Sequence, residues 1–180
     1  MGQDPGLRVE SARRTVELDF GGYGIGGLSV GESRPEMLAA LDVTVPELPA
    51  DRLRYLMGVG DPVGLVEAVA RGVDLFDCVA PTRTARHGTA WTRAGRLSLR
   101  AAACARDDRP IDGDCPCPTC GRWSRGYLRH LLLVNEPTAL RLVTLHNLAF
   151  MFDLVDRIRA AVADGTLEEL RAETGAVWGG

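Results

Sequence analysis

A chain of 180 residues, 46% of them hydrophobic, can build one ordinary domain with a sizeable core but not two large ones. The net charge is −3, and all 21 basic residues are arginine, a bias of composition rather than a design for binding. No uninterrupted apolar run approaches membrane-spanning length, and Met1 to Glu10 lacks the apolar core of a signal peptide, so a cytoplasmic protein with no membrane role is expected.

Apolar spacing predicts a helix over Leu7 to Asp19, closed by Phe20-Gly21-Gly22. Tyr23 to Val30 is short, apolar and glycine-rich, and is read as a strand with its exit loop. Pro35 to Leu41 is helical, with Ser33 as cap and Glu36 three residues on. Arg54 to Val59 is a second buried strand, broken by Gly60-Asp61-Pro62. Asp61 then caps a helix from Pro62 to Arg71 with proline at its first position. Gly72 ends it, and Val73 to Val79 is a third strand. This is the alternation of a parallel sheet.

From Gly88 the pattern changes. Thr89 to Leu99 predicts a small hairpin turned at Ala94-Gly95, followed by a cysteine cluster. Helices are expected at Ser124 to Val134, Pro137 to Leu142, His146 to Ala163 and Leu167 to Glu173. The tail from Gly175 to Gly180 is expected to be loose.

Cys115-Pro-Cys117-Pro-Thr-Cys120 packs three thiols into six residues. Zinc takes thiolate and imidazole ligands tetrahedrally, and the two prolines stiffen the turn, so a metal site is the favoured reading. A disulfide with a spare thiol and unpaired thiols in a surface turn are the alternatives, behind them an iron–sulfur cluster, which normally wants four cysteines, and nothing marks the chain as secreted. Spacing alone allows His130 or His146 as the fourth ligand.

In a parallel sheet, function gathers at the carboxyl ends of the strands. That singles out Gly26-Gly27, Met57-Gly58 and Asp77. Asp77 ends a buried strand and is read either as a nucleophile or general base, or as an Arg83 ion pair or helix cap. Gly27 serves either a tight turn or the close approach of a ligand. Between Pro81 and His130 stand ten arginines against four acids, an excess that suits either a phosphate-bearing partner or a solvated face of mixed charge.

These segments together resemble the bacterial tRNA-guanine transglycosylases, the queuine tRNA-ribosyltransferases. The matching pieces are Gly24-Ile-Gly-Gly-Leu-Ser-Val-Gly-Glu32, Arg54-Tyr-Leu-Met-Gly-Val-Gly60, Gly72-Val-Asp-Leu-Phe-Asp-Cys-Val79, Pro81-Thr-Arg83, Ala85-Arg86, the cysteine cluster and Leu145-His-Asn147. The resemblance implies an α/β fold: the C-terminal part of a (β/α)8 TIM barrel, with a zinc-binding subdomain and C-terminal helices. The partial barrel, about three strand–helix units, would occupy residues 1–87. The zinc subdomain and helices would occupy 88–165, and a tail 166–180.

By the same resemblance, Cys115, Cys117, Cys120 and His146 bind one structural zinc ion and Asp77 is the nucleophile. Gly27 matches a position whose backbone contacts the nucleobase, and Met57 one that lines its pocket. Gly58, Val59, Gly60, Asp61, Pro62, Val63 and Gly64 match one tRNA-contacting stretch. Thr82, Arg83, Thr84, Ala85 and Arg86 match another, near the wobble base. The implied partners are a tRNA with guanine at the anticodon wobble position and a 7-deazaguanine base, with a homodimer open to the full-length form. The implied reaction replaces that guanine by the deazaguanine through a covalent aspartyl-RNA intermediate. An inactive zinc-stabilised tRNA-binding module, or a truncated gene remnant, is the alternative.

Length departs from the family. A full barrel of this kind takes about 250 residues, and the motifs expected upstream, including an aspartate general acid/base, are missing. The chain is therefore expected to begin just past the fifth barrel strand, with Met1 to Gly6 outside the pattern, as a C-terminal fragment or an incorrectly started gene product.

Overall fold

The computed structural model describes residues 4–179. Met1, Gly2 and Gln3, in the segment read as departing from the family pattern, and Gly180, at the end of the tail, lie outside them. The chain forms two compact units. Of the described residues, the first gathers 4–78 together with Gly165–Gly175; the second gathers Val79–Asp164 together with 176–179.

In the first unit α1 (Pro5–Val16) begins where Asp4 accepts from the Leu7 amide at 3.0 Å, with Pro5 just inside the helix. Then follow β1 (Gly22–Ile25), α2 (Arg34–Thr44), β2 (Leu53–Leu56), α3 (Pro62–Ala70) and β3 (Leu75–Phe76) in the expected alternation. Glu36 accepts from both the amide and the hydroxyl of Ser33 at 2.7 Å, and Asp61 accepts from the Gly64 amide at 3.0 Å. Both predicted caps thus form.

The strands pair only in parallel, in the order β1-β2-β3, with Ile25 beside Leu56 and Leu56 beside Phe76. Parallel neighbours need a crossover, which α2 and α3 supply. Tyr23, Ile25, Leu41, Leu56, Val59 and Ala68 form the heart of this core. Among the described residues the parallel sheet has three strands.

Two predicted strands run too long. The second ends at Leu56 because Gly58, at a φ of 77°, turns the backbone out of the sheet. The third ends at Phe76, and Val79 is already the cap position of α4 (Ala80–Arg86), a helix that the apolar run into Val79 concealed.

In the second unit β4 (Thr89–Thr92) and β5 (Gly95–Ser98) form the predicted antiparallel hairpin, with Thr92 opposite Gly95. The turn residues are therefore Arg93 and Ala94, one position earlier than expected. Next come α5 (Arg125–Leu133) and α6 (Pro137–Asp164); α7 (Leu167–Trp178) follows, its residues to Gly175 counted with the first unit and those from Ala176 on with the second.

The helices expected at Pro137 to Leu142 and His146 to Ala163 are one 28-residue helix. The supposed gap, Val143-Thr144-Leu145, contains neither glycine nor proline, and Val143 is fully buried. Unbroken, α6 is long and apolar enough to cross a membrane by length and composition alone. Its buried residues nevertheless include His146 and Asn147, both hydrogen-bonded to Trp91 within the second unit. Leu128, Leu132, Ala139 and Val143 fill the core there.

The tail also departs from expectation, since α7 continues to Trp178. The Trp178 ring centroid lies 5.7 Å from that of Trp91 and 5.6 Å from that of Phe150. Each such aromatic pair contributes about 0.5–1.5 kcal/mol beyond the area it buries. Trp178→Ala should therefore cost about 2–4 kcal/mol, read as a lower urea midpoint; an unchanged midpoint would mean the ring does not pack in solution.

Candidate active site and metal centre

The register across the sheet decides what stands at its carboxyl edge. Because Ile25, Leu56 and Phe76 are neighbours, the residues that follow them, Gly26, Met57 and Asp77, leave the sheet side by side. Asp77 Oδ1 accepts from the Tyr55 hydroxyl at 2.6 Å and from the Gly58 amide at 3.1 Å. The Tyr55 hydroxyl first, and then the Gly58 amide, hold the Asp77 carboxyl below its usual range, while the carboxylate pushes the Tyr55 phenol up. Asp77 is exposed. The site thus presents an ionised carboxylate, oriented through one oxygen and open to solvent. It does not cap α4, whose cap position falls to Val79.

Gly27 has a φ of 69°, and its carbonyl accepts from Arg8 at 3.2 Å, so this glycine does form a tight turn. The Met57 side chain lies over β1, where a Cβ on Gly24 would come within 2.7 Å of its Cε. Gly58 is fixed from its other side by the Ser29 hydroxyl, which donates to its carbonyl at 3.0 Å. A side chain on Gly60 would collide with Cys78.

The stretch from Gly58 to Gly64 is mostly interior. Gly58 is exposed and Asp61 half-buried, whereas Val59, Gly60, Pro62, Val63 and Gly64 are buried. Asp61 is itself committed, capping α3 and pairing with Arg34 at 2.8 Å. On α4, Arg83 and Arg86 are exposed, Thr82 and Thr84 half-buried and Ala85 buried. Part of the basic block has structural work: Arg125 donates to the carbonyls of Pro110 and Ile111 at 2.8 Å, and both Arg125 and Arg109 pair with Asp107. Those arginines draw the Asp107 carboxyl far down.

In the second unit the Sγ atoms of Cys115, Cys117 and Cys120 and a ring nitrogen of His146 all lie within 4.8 Å of one another. His130, the other candidate, is exposed on α5 and outside the group. Among the described residues, which include all five cysteines, none forms a disulfide.

His146 Nδ1 stands 3.6 Å from Cys117 Sγ and 3.3 Å from Cys120 Sγ. Tetrahedral zinc with sulfur at about 2.3 Å and nitrogen at about 2.0 Å separates those donors by about 3.5 Å. The distances are therefore those of ligands sharing an ion. His146 Nε2 stands 2.7 Å from the Trp91 carbonyl, which can only accept, so the proton is on Nε2 and the Nδ1 lone pair faces the thiols. Burial pushes the His146 pKa down, keeping the ring neutral, and pushes the Cys120 thiol up to about 12. Three thiolates cannot crowd this space unaided, and a bound divalent cation reverses that penalty. The residues fit a metal ion.

Two contributors were not singled out from the sequence. Tyr55, in the middle of an apolar strand, looked like core, and only the pairing of Tyr55 with Leu75 reveals its reach to Asp77. Asn147 is fully buried and bonds both β4 and the chain around α4.

The family profile described as queuine tRNA-ribosyltransferase matches residues 1–179. Among curated relatives, a queuine tRNA-ribosyltransferase of Desulforudis audaxviator is 54% identical over 167 residues, covering 93% of this chain and 45% of that protein. One of Pelotomaculum thermopropionicum is 56% identical over 165 residues, with 92% and 45% covered, and one of Bacillus subtilis 49% over 172, with 96% and 45%. The chain thus spans a little under half the length of these relatives.

Tyr55→Phe tests the carboxylate geometry. With the folded pKa of Asp77 depressed, its share of stability is present above the unfolded pKa and lost as pH falls through the folded one. Removing the hydroxyl should raise the Asp77 midpoint, followed by carboxyl carbon NMR, toward the ordinary value of about 3.9; an unmoved midpoint would show that Tyr55 does not hold it. The matched residues run through both the Asp77 site and the cysteine–histidine centre, and the chain belongs to the queuine tRNA-ribosyltransferase family.

Proposed function

We propose that this chain carries the nucleophile and the metal-braced part of a tRNA-guanine transglycosylase, which exchanges the wobble guanine of an anticodon for a 7-deazaguanine. The observation that carries the reading is the Asp77 carboxylate, oriented through Oδ1 by Tyr55 and Gly58 at the sheet edge. Its free carboxylate face attacks C1′ of the ribose as the bond from C1′ to guanine N9 breaks, and the electron pair leaves with guanine, which takes up a proton. The deazaguanine nitrogen then attacks C1′, giving up its proton and expelling the Asp77 carboxylate. Two displacements retain configuration, as in retaining glycosidases. The base must leave its stack to reach the carboxylate.

In this reading the sheet of the first unit is part of a (β/α)8 barrel. The Gly27 backbone and Met57 bound the nucleobase pocket. Exposed Gly58 and half-buried Asp61 mark where the stretch to Gly64 meets RNA, its buried residues shaping the turn, and Arg83 and Arg86 hold flanking phosphates from α4. No residue of this chain is assigned the general acid/base. Cys115, Cys117, Cys120 and His146 hold one zinc ion, which braces the fold and takes no part in the displacement. A cytoplasmic location follows from a tRNA substrate. A homodimer of the full-length form also has a surface to use, since Tyr127, stacked on Trp123 with ring centroids 4.8 Å apart, and Leu133 are both exposed on α5.

The test compares the chain with Asp77→Asn, each alone and each with the separately expressed upstream half of a full-length relative, on an anticodon stem-loop RNA. A denaturation-stable RNA adduct and exchange of labelled guanine are expected only with Asp77 intact. Equal RNA affinity in both forms with an adduct in neither would favour a binding module that lacks chemistry. An adduct that persists in Asp77→Asn would remove Asp77 as nucleophile.

Zinc is tested separately. One equivalent per chain is expected, and a strong chelator should reduce the helical circular dichroism signal, because binding free energy at such a site is folding free energy. A signal unaltered by chelation would count against a structural zinc.

A further inference from the structure

We infer that Asn147 is the positioning residue of the metal centre and that through it metal binding orders the chain from α4 to β4, residues 80–92. His146 and Asn147 are consecutive on α6 and both are fully buried. They hold the two sides of one residue. His146 Nε2 donates to the Trp91 carbonyl at 2.7 Å, while the Trp91 amide donates to Asn147 Oδ1 at 2.9 Å.

The carbonyl that orients the metal-ligating ring is therefore aimed by a peptide that Asn147 clamps from its amide side. The other end of the same side chain reaches further. Its Nδ2 donates to the carbonyls of Pro81 at 3.0 Å and Thr89 at 3.1 Å, with Thr84 Oγ1 at 3.4 Å. One acceptor and two donors are all engaged, so neither aspartate nor leucine could replace this amide without leaving buried groups unpaired. The Trp91 ring adds mass to the clamp, being packed against Phe150 and Trp178.

Two consequences follow. Outer partners of a metal-bound histidine fix its orientation and raise its affinity for the ion, commonly by roughly 10–100-fold. Coupling is also reciprocal: if order around Asn147 strengthens metal binding, metal binding strengthens that order. The segment affected includes α4, which carries the exposed Arg83 and Arg86. This inference rests on a metal being held by the cysteine–histidine group and not on the RNA chemistry, so it can fail while that reading stands.

The experiment loads the 180-residue chain with Co2+, whose visible bands report ligand geometry, and measures affinity by chelator competition. Asn147→Ala is expected to weaken Co2+ binding by roughly 10–100-fold and to shift the bands. Thr44→Val serves as control: it removes a buried hydrogen bond to the Ala40 carbonyl at 2.6 Å in the first unit and should leave both affinity and bands unchanged. Equal affinity and identical bands in Asn147→Ala and the unaltered chain would overturn the inference, as would an equal loss in the control.

Since Asn147→Ala strips partners from three buried backbone groups and can fail to fold, hydrogen exchange on the unaltered chain decides independently. Co2+ should slow the Trp91 amide and the α4 amides. Exchange over residues 80–92 that is the same with and without bound Co2+ would refute the coupling, and a chain that shows no visible bands at all would refute the metal site beneath it.

Discussion

Ile25, Leu56 and Phe76 stand side by side across three parallel strands, and the placing of Asp77 beside Tyr55 and Gly58 depends on that alignment. In a parallel sheet the register sets the level at which each strand hands over to its loop, and loops leaving at one level converge. A slip of one residue between β2 and β3 would turn Phe76 out of the core and carry Asp77 away from the Gly58 amide. The helices on either side secure the level. Asp61 and Ser33 fix where α3 and α2 begin, and Glu67, bonded at 2.6 Å to Arg71 and at 2.7 Å to Arg171, ties α3 to the Leu167–Gly175 part of α7. Both arginines hold the Glu67 carboxyl below its usual range, Arg171 contributing first.

The second unit is organised differently, around polar groups rather than strand ends. His146 and Asn147 put an imidazole and an amide into a core of leucines and valines, where an unpaired group costs about 1–3 kcal/mol. Both escape that cost by bonding to one short hairpin strand. The metal-ligand turn is joined to the same helix by the Thr119 hydroxyl, which donates to the Leu142 carbonyl at 2.8 Å, and is tightened by the Cys120 amide pointing at Cys117 Sγ at 3.4 Å. The geometry around the thiols is thus preset by groups that are not ligands.

Much of this was legible in the sequence because the signals are local. Asp61-Pro62 and Ser33 with Glu36 announce helix starts through chemistry confined to four residues, and the three cysteines announce a group able to hold a metal ion through their crowding. What the sequence hid was non-local. The fourth ligand could not be chosen by spacing, because His130 and His146 both lie on helical patterns and only burial separates them. Tyr55 reads as core until strand pairing places it beside Leu75. Trp178 sits in a glycine-rich tail that looks loose, and its order comes from Trp91 and Phe150, far away in the chain. The overlong third strand shows the converse failure, an apolar run through Val79 whose last residues serve a helix.

Within the proposed double displacement, the hydrogen bonds to Asp77 act in opposite senses in the two steps. A carboxylate that accepts two hydrogen bonds is more fully ionised but less basic, and so attacks more slowly than a bare one. In the second step the same group must leave C1′, and a less basic carboxylate leaves faster. Both bonds from Tyr55 and Gly58 fall on Oδ1, so Oδ2 takes neither and keeps more of its electron density for attack. As negative charge returns to the carboxylate on departure, the Tyr55 hydroxyl and Gly58 amide are already positioned to receive it. A nucleophile that must also be a leaving group is served by this asymmetry, because one oxygen bonds while the other is stabilised.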